Sequence, residues 1–211
     1  MKNSVTILIA LLVLTACRPD RPTRQMILAN WEFSAVGDTA KYPAEIPGCI
    51  HTDLLRHGII EDPFYGKNEL EVQWVGEEPW VYTISFIPEA HTLDKGNIDL
   101  VFEGLDTYAD VFLNDSLILQ ADNMFRSWKV DVKDLLRSGE NRLKVFFSPP
   151  GPINEEKAKQ LPYQLPDNRA STRKSPYHFG WDWGPELVTC GIWKPVYLRA
   201  WNGFRISNVH I

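Results

Sequence analysis

The sequence predicts an all-β fold: an antiparallel jelly-roll β-sandwich with one long aromatic loop. Three observations lead there. Short runs of alternating polar and apolar residues recur with turn-forming residues between them, the pattern of half-buried antiparallel strands. The chain has almost no long amphipathic helical pattern, and no internal repeat at the roughly 20- to 50-residue period of solenoids. Residues 148–191 break the strand rhythm, yet they are too aromatic to read as disorder.

The chain opens with Lys2, a largely apolar run over residues 5–14, and Thr15-Ala16 before Cys17. A basic start, a short apolar stretch and small residues at a cleavage point mark a secretory signal. The run is too short for a membrane-spanning helix, which needs about 20 apolar residues. Leu14-Thr15-Ala16-Cys17 resembles the lipobox of bacterial lipoproteins, which implies acylation of Cys17 and attachment to a membrane through lipid alone. Residues 1–16 are thus read as a removed signal, 17–25 as a polar tether with Pro19 and Pro22, and 26–204 as the folded domain. Residues 205–211 alternate again and are expected to lead into a further domain that this chain truncates.

Within the domain, Asn30-Trp31-Glu32-Phe33-Ser34-Ala35 alternates as a strand. After Pro47-Gly48-Cys49, Thr52 is expected to cap a helix of one to two turns and Gly58 to close it. Trp80, Tyr82, Ile84 and Phe86 form the next strand, ended by Pro88, and Ile98-Leu100-Phe102 share its period. Val111-Phe112-Leu113 and Leu117-Ile118-Leu119 flank Asn114-Asp115-Ser116, a turn-forming trio that predicts a hairpin. Trp128, Val130 and Val132 are expected to pair with Leu143, Val145 and Phe147 across a helix-like Asp134-Leu135-Leu136 and a turn at Gly139. The interrupting loop opens with Pro149-Pro150-Gly151-Pro152, holds one helix around residues 154–160, and gives way to a last strand near residues 192–201.

Composition removes several functions. The net charge of −5 and the lack of a basic run after the signal argue against nucleic acid or an anionic membrane surface as partner. The five His show no zinc-ligand spacing, and the chain carries no nucleophile elbow, phosphate loop or dinucleotide fingerprint, so no metal or cofactor is implied. Cys49 and Cys190 are the one pair free to form a disulfide, with buried thiols the default. Among 27 acidic residues, sequence cannot pick the two carboxylates a glycosidase needs.

Eight Trp, seven Tyr and ten Phe are an unusual number of rings; most are expected in the core, and flat rings also stack on sugar C–H faces. Trp181-Asp182-Trp183-Gly184-Pro185 is the most informative segment. An ionised Asp partly shielded between two indoles accepts hydrogen bonds from neighbouring hydroxyls, and Gly184 permits a sharp bend. The same residues also suit a structural Trp pair with Asp182 capping its own turn, and both readings stand at this point. Arg173-Lys174 either pair with Asp182 or, by default, face solvent.

Several segments in register resemble the N-terminal domain of β-mannosidases in glycoside hydrolase family 2. They are Pro47-Gly48-Cys49-Ile50-His51-Thr52-Asp53-Leu54-Leu55, Asp62-Pro63-Phe64-Tyr65 with Asn68-Glu69, and Phe102-Glu103-Gly104-Leu105-Asp106-Thr107-Tyr108-Ala109. Asp122-Asn123-Met124-Phe125, Phe179-Gly180-Trp181-Asp182-Trp183-Gly184-Pro185 and Gly191-Ile192-Trp193-Lys194 follow. The resemblance implies a galactose-binding-domain-like jelly roll, followed in the parent by an immunoglobulin-like domain and a (β/α)₈ barrel holding both catalytic Glu residues of a retaining mechanism. No residue of this chain matches a catalytic Glu. It also implies that Trp181, Asp182 and Trp183 help form the subsite for a terminal mannose, with Asp182 accepting hydroxyls and Trp181 as the stacking wall. The expected function is therefore substrate positioning in an exo-β-mannosidase acting on β-mannoside oligosaccharides. A stand-alone carbohydrate-binding lipoprotein and a purely structural domain are the alternatives.

Overall fold

The computed structural model describes residues 21–206 and 209–210. The signal read over residues 1–16 and the acylation site Cys17 lie outside the described residues.

Ten strands among the described residues form two antiparallel sheets. One runs in the order β1 (Thr23–Met26), β10 (Val196–Trp201), β5 (Asn97–Phe102), β8 (Trp128–Asp131). The other runs β3 (Tyr42–Ala44), β2 (Trp31–Ala35), β4 (Trp80–Phe86), β9 (Asn141–Ser148), β6 (Tyr108–Leu113), β7 (Ser116–Asp122). The chain passes repeatedly from one sheet to the other, as a jelly roll does. Because side chains alternate along a strand, each sheet presents one apolar face. Trp31, Phe33, Tyr82, Val145 and Phe147 meet Leu100, Phe102 and Leu198 in the core between them. Two buried indoles keep their N–H groups bonded, Trp31 to the Ile27 carbonyl at 3.0 Å and Trp80 to that of Val75 at 2.9 Å.

Helix α1 (Ile50–Arg56) sits where the sequence puts it, but Cys49 occupies the N-cap. Thr52 lies in the first turn, where its hydroxyl accepts the Cys49 N–H at 3.3 Å and donates to the Cys49 carbonyl at 2.7 Å. Gly58 closes the helix at φ +64°, its N–H on the Leu55 carbonyl at 3.0 Å. Asp53 docks α1 on the sandwich, accepting from the Tyr82 hydroxyl at 3.1 Å and from the Glu45 N–H at 3.0 Å. Helices α2 (Asn68–Glu71), α3 (Ala90–Leu93) and α4 (Pro150–Lys159) are short, and no helix among the described residues is long and apolar enough to cross a membrane.

Two expectations are corrected and a third is met. The tether read over residues 17–25 gives way at Thr23 to β1, which pairs with β10, Arg24 opposite Arg199. The strands expected to pair with each other, β8 and β9, lie in different sheets: Val130 of β8 faces Leu100 of β5, and Val145 of β9 faces both Tyr82 and Val111. The helix-like reading of Asp134-Leu135-Leu136 agrees with a single turn in which the N–H groups of Leu135 and Leu136 both reach the Val132 carbonyl at 3.0 Å. That turn carries the chain from one sheet to the other, so these two strands, adjacent in sequence, join different sheets. Of the residues read as leading into a further domain, Arg205 and Ile206 take no regular secondary structure, and 207, 208 and 211 lie outside the described residues.

Candidate functional site

The long loop between β9 and β10 starts with α4, whose N-cap Pro149 and first residue Pro150 suit a helix start, where the missing N–H is no loss. Two 3-10 turns follow, Asn168–Ser171 and Pro176–Phe179. The second half of the loop is anchored to the sandwich by a buried polar cluster. Lys174, 4% exposed, places its ammonium 2.5 Å from both carboxylate oxygens of Asp106, 2% exposed, in the turn between β5 and β6. The Lys174 ammonium also donates to the Thr189 carbonyl at 2.8 Å and to the Thr189 hydroxyl at 3.1 Å. Asp106 accepts further from the hydroxyls of Thr107 at 2.5 Å and Thr189 at 2.7 Å. Burial pulls the Lys174 ammonium below its ordinary range, and the Asp106 carboxylate opposes that pull. The expectation for Arg173-Lys174 is corrected at one residue: Arg173 is exposed, as expected by default, but Lys174 is interior and its partner is Asp106.

The segments that carried the family resemblance surround this anchor. Asp106 and Gly191 exchange backbone hydrogen bonds at 2.9 and 3.0 Å. Gly191, at φ +147°, leaves no room for a side chain, because a Cβ there would lie 2.8 Å from the Gly48 carbonyl oxygen. The Trp193 indole lies against Gly104, where an added Cβ would approach its Nε1 to 2.5 Å, and the same N–H donates to the Met124 carbonyl at 3.1 Å. Met124 in turn bonds the loop, taking the Ser175 N–H on its sulfur at 3.2 Å. Glu69 of α2 accepts the Glu186 N–H at 2.6 Å, and Arg169 donates to the Gly180 carbonyl at 3.2 Å. Between these ties the chain projects as a tight turn, Gly180 at φ +89° and the Gly184 N–H on the Trp181 carbonyl at 3.2 Å.

Trp181 and Trp183 stand on that turn edge to face, ring centroids 6.3 Å apart at 79°. They are 50% and 85% exposed, whereas Trp31 and Trp80 are 1% and 3% exposed. With Phe64, Tyr177, His178, Leu187 and Thr189 they line an open cleft of about 670 Å³. That falls within the roughly 300–1,000 Å³ of small-molecule pockets, with one side open to solvent. Asp182 borders a second cleft on the other side of Trp181, with Arg169, Phe179 and Gly180. Its carboxylate is exposed and has no hydrogen-bond or ion-pair partner among the described residues. Two expectations change: Asp182 is not shielded between the indoles, because they meet at a corner that turns it outward, and it does not cap its own turn, which the backbone closes.

Phe64, Tyr177 and His178 join the cleft without having been assigned to it from sequence. Their signal was position alone, since Phe64 lies in a resembling segment and the other two immediately precede Phe179-Gly180. The Tyr177 and His178 rings meet edge to face at 4.5 Å. His178 Nδ1 lies 3.2 Å from the Thr189 hydroxyl, and burial, then the Lys174 charge, hold the imidazole down at about 4. Beneath it, His51 is buried and likewise held at about 4, by burial first and Lys174 second. Cys49 and Cys190 are free thiols, and burial pushes the Cys190 thiol well up.

The fold and the cleft together define a β-sandwich module with an aromatic site raised on one braced loop. Residues 31–194 match the family described as glycosyl hydrolase 2 galactose-binding domain-like, and the chain belongs to that family. β-Mannosidase B of Thermothelomyces thermophilus is 39% identical over 194 residues, covering 86% of this chain and 22% of the relative. The β-mannosidase of Bos taurus is 33% identical over 207 residues, covering 91% of this chain and 23% of its own. The solved β-D-mannosidase of Dictyoglomus thermophilum superposes with a TM-score of 0.83 at 47% identity, over 85% of this chain and 23% of that one. The chain therefore spans less than a quarter of the length of these relatives.

Proposed function

We propose that this module positions substrate for an exo-acting β-mannosidase that removes terminal non-reducing β-D-mannose residues. Trp181 and Trp183 offer apolar faces to the sugar, and Asp182 accepts its hydroxyls. The likeness to β-mannosidases supports the substrate class. The observation that carries the assignment to this loop is the turn itself: two exposed indoles flank a carboxylate that has no partner among the described residues, on a segment otherwise pinned by a buried ion pair. Such a group is preorganised, so little ordering is left to be done when a ligand binds. In this reading bond cleavage belongs to two carboxylates of a barrel domain, acting by the retaining mechanism. We also infer that the protein is exported and held at a bacterial membrane by lipid on Cys17, from the Leu14-Thr15-Ala16-Cys17 signal.

The test uses the protein from its complete reading frame. Asp182→Ala should lower kcat/KM for an aryl β-mannoside by roughly 10- to 100-fold, the range for hydrogen bonds to a charged group. The 211-residue chain by itself should release no aglycone. Unchanged kinetics in Asp182→Ala would return the loop to a purely structural role. Mannoside binding without turnover by the complete protein would fit a carbohydrate-binding lipoprotein instead. Cys17→Ser should shift the protein from the membrane to the soluble fraction.

A further inference from the structure

The cleft beside Trp181 and Trp183 is lined mostly by apolar surface, with the His178 ring, the Thr189 and Tyr177 hydroxyls and the indole N–H groups as its polar groups. We propose that His178 is a substrate-positioning residue whose bare Nε2 accepts a hydrogen bond from one hydroxyl of a neutral sugar seated in this cleft. The inference rests on the glycoside-subsite reading above and adds a second polar contact, separate from Asp182.

Proton counting fixes the tautomer. The Thr189 hydroxyl has one proton and three neighbours: Asp106 Oδ2 at 2.7 Å, the Lys174 ammonium at 3.1 Å and His178 Nδ1 at 3.2 Å. A carboxylate only accepts and an ammonium only donates. The hydroxyl proton therefore goes to Asp106, whose charge and shorter distance make it the stronger acceptor. What remains on the oxygen is lone pairs, so the contact with His178 exists only if Nδ1 brings its own proton. Nε2, on the opposite edge of the ring, is then unprotonated. It has no partner among the described residues and is not one of their enclosed, unbonded polar atoms, so it keeps access to solvent on a ring that lines the cleft.

The surroundings keep it that way at neutral pH. The charged and titratable groups facing His178 are Lys174 on its own loop, Asp106 from the β5–β6 turn and His51 from α1. Burial and the Lys174 ammonium disfavour the imidazolium, and Asp106 only partly offsets them. The chemistry this selects is specific. A neutral pyranoside brings a hydroxyl donor to Nε2 and C–H faces to the indoles, whereas a carboxylate presented at that same position would have no proton to give.

The test again uses the protein from its complete reading frame, with an aryl β-mannoside and each of its singly deoxygenated analogues. His178→Phe keeps the ring and removes both nitrogens, and should lower kcat/KM by roughly 3- to 15-fold, the range for one neutral hydrogen bond. For one analogue, the wild type should show that same loss while the variant no longer discriminates it from the parent sugar. His178→Gln, whose amide oxygen can reach the same place, should recover part of the rate, and it also serves if the Phe variant folds poorly. Deoxygenation penalties that stay at wild-type values in both variants would overturn the role of His178. If Asp182→Ala still impairs the enzyme in that case, the subsite reading survives without His178. If Asp182→Ala is silent as well, both readings fall.

Discussion

Lys174 and Asp106 show how much depends on single side chains. Each is almost fully buried, and their ion pair is completed by the hydroxyls of Thr107 and Thr189 and the Thr189 carbonyl. A buried charge left without its partner costs more than the pair contributes, because desolvation is no longer offset. Lys174→Met should therefore destabilise the fold by about 3–5 kcal/mol, while Lys174→Met with Asp106→Leu should lose less than the sum of the single changes, read from urea midpoints. Additive losses would show that the two charges act independently. Gly104→Ala probes the neighbouring brace: a Cβ 2.5 Å from the Trp193 Nε1 forces the indole off its bond to Met124, at about 1–3 kcal/mol. None of this was visible in the sequence. Lys174 reads as an ordinary surface cation because its partner lies 68 residues away, and only the fold brings the two together. Trp181-Asp182-Trp183 stood out because two indoles around a carboxylate is unusual composition, but the corner that turns Asp182 outward is a matter of backbone geometry.

At the scale of elements, what was legible was local. The hairpin of β6 and β7 was written in Asn114-Asp115, and the structure places both at positive φ, +50° and +69°, as a two-residue turn between strands of right-handed twist requires. Asp115→Gly should stabilise the domain by roughly 0.5 kcal/mol, and Asp115→Val should destabilise it by about 1–2 kcal/mol, measured as shifts in thermal midpoint. A neutral Val substitution would mean that the turn relaxes to another type. Alternation announces a strand but does not name its neighbour, which is why β8 and β9 were expected together and lie in different sheets. The strands that sequence missed, β1 and β3, are three or four residues long and lie at sheet edges. Pro43 inside β3 hides it further, since Pro argues against a strand except at an edge, where its missing N–H is tolerated. The long loop was expected as a placed element from its aromatic content, and its ties to Glu69, Met124, Asp106 and Gly191 explain the placement. The segments that carried the family resemblance are mostly these ties.

Across the whole molecule, the polar interior beneath the loop makes stability depend on pH. The folded domain holds His51 at about 4, well below its usual 6.5, because burial and the Lys174 charge exclude the proton. The unfolded chain accepts that proton at the ordinary value, so between about pH 6.5 and 4 it binds more protons than the folded one. Stability from this group is therefore complete above pH 6.5, falls as pH drops through the window, and amounts to about 3 kcal/mol at most. His178 acts in the same direction, whereas burial raises the Asp53 carboxyl and so opposes the trend at the acid end. The contribution of His51 is best isolated as a difference. Urea unfolding of the wild-type chain and His51→Leu, followed from pH 7.5 to 4.5, should show the wild type losing more stability than the variant on acidification. The variant also removes the unbonded buried Nδ1 of His51, so its stability at neutral pH is not expected to suffer from a lost hydrogen bond. Parallel pH curves for the two proteins would mean that His51 protonates as readily folded as unfolded, and that acid sensitivity in this fold resides with the loop and His178 instead.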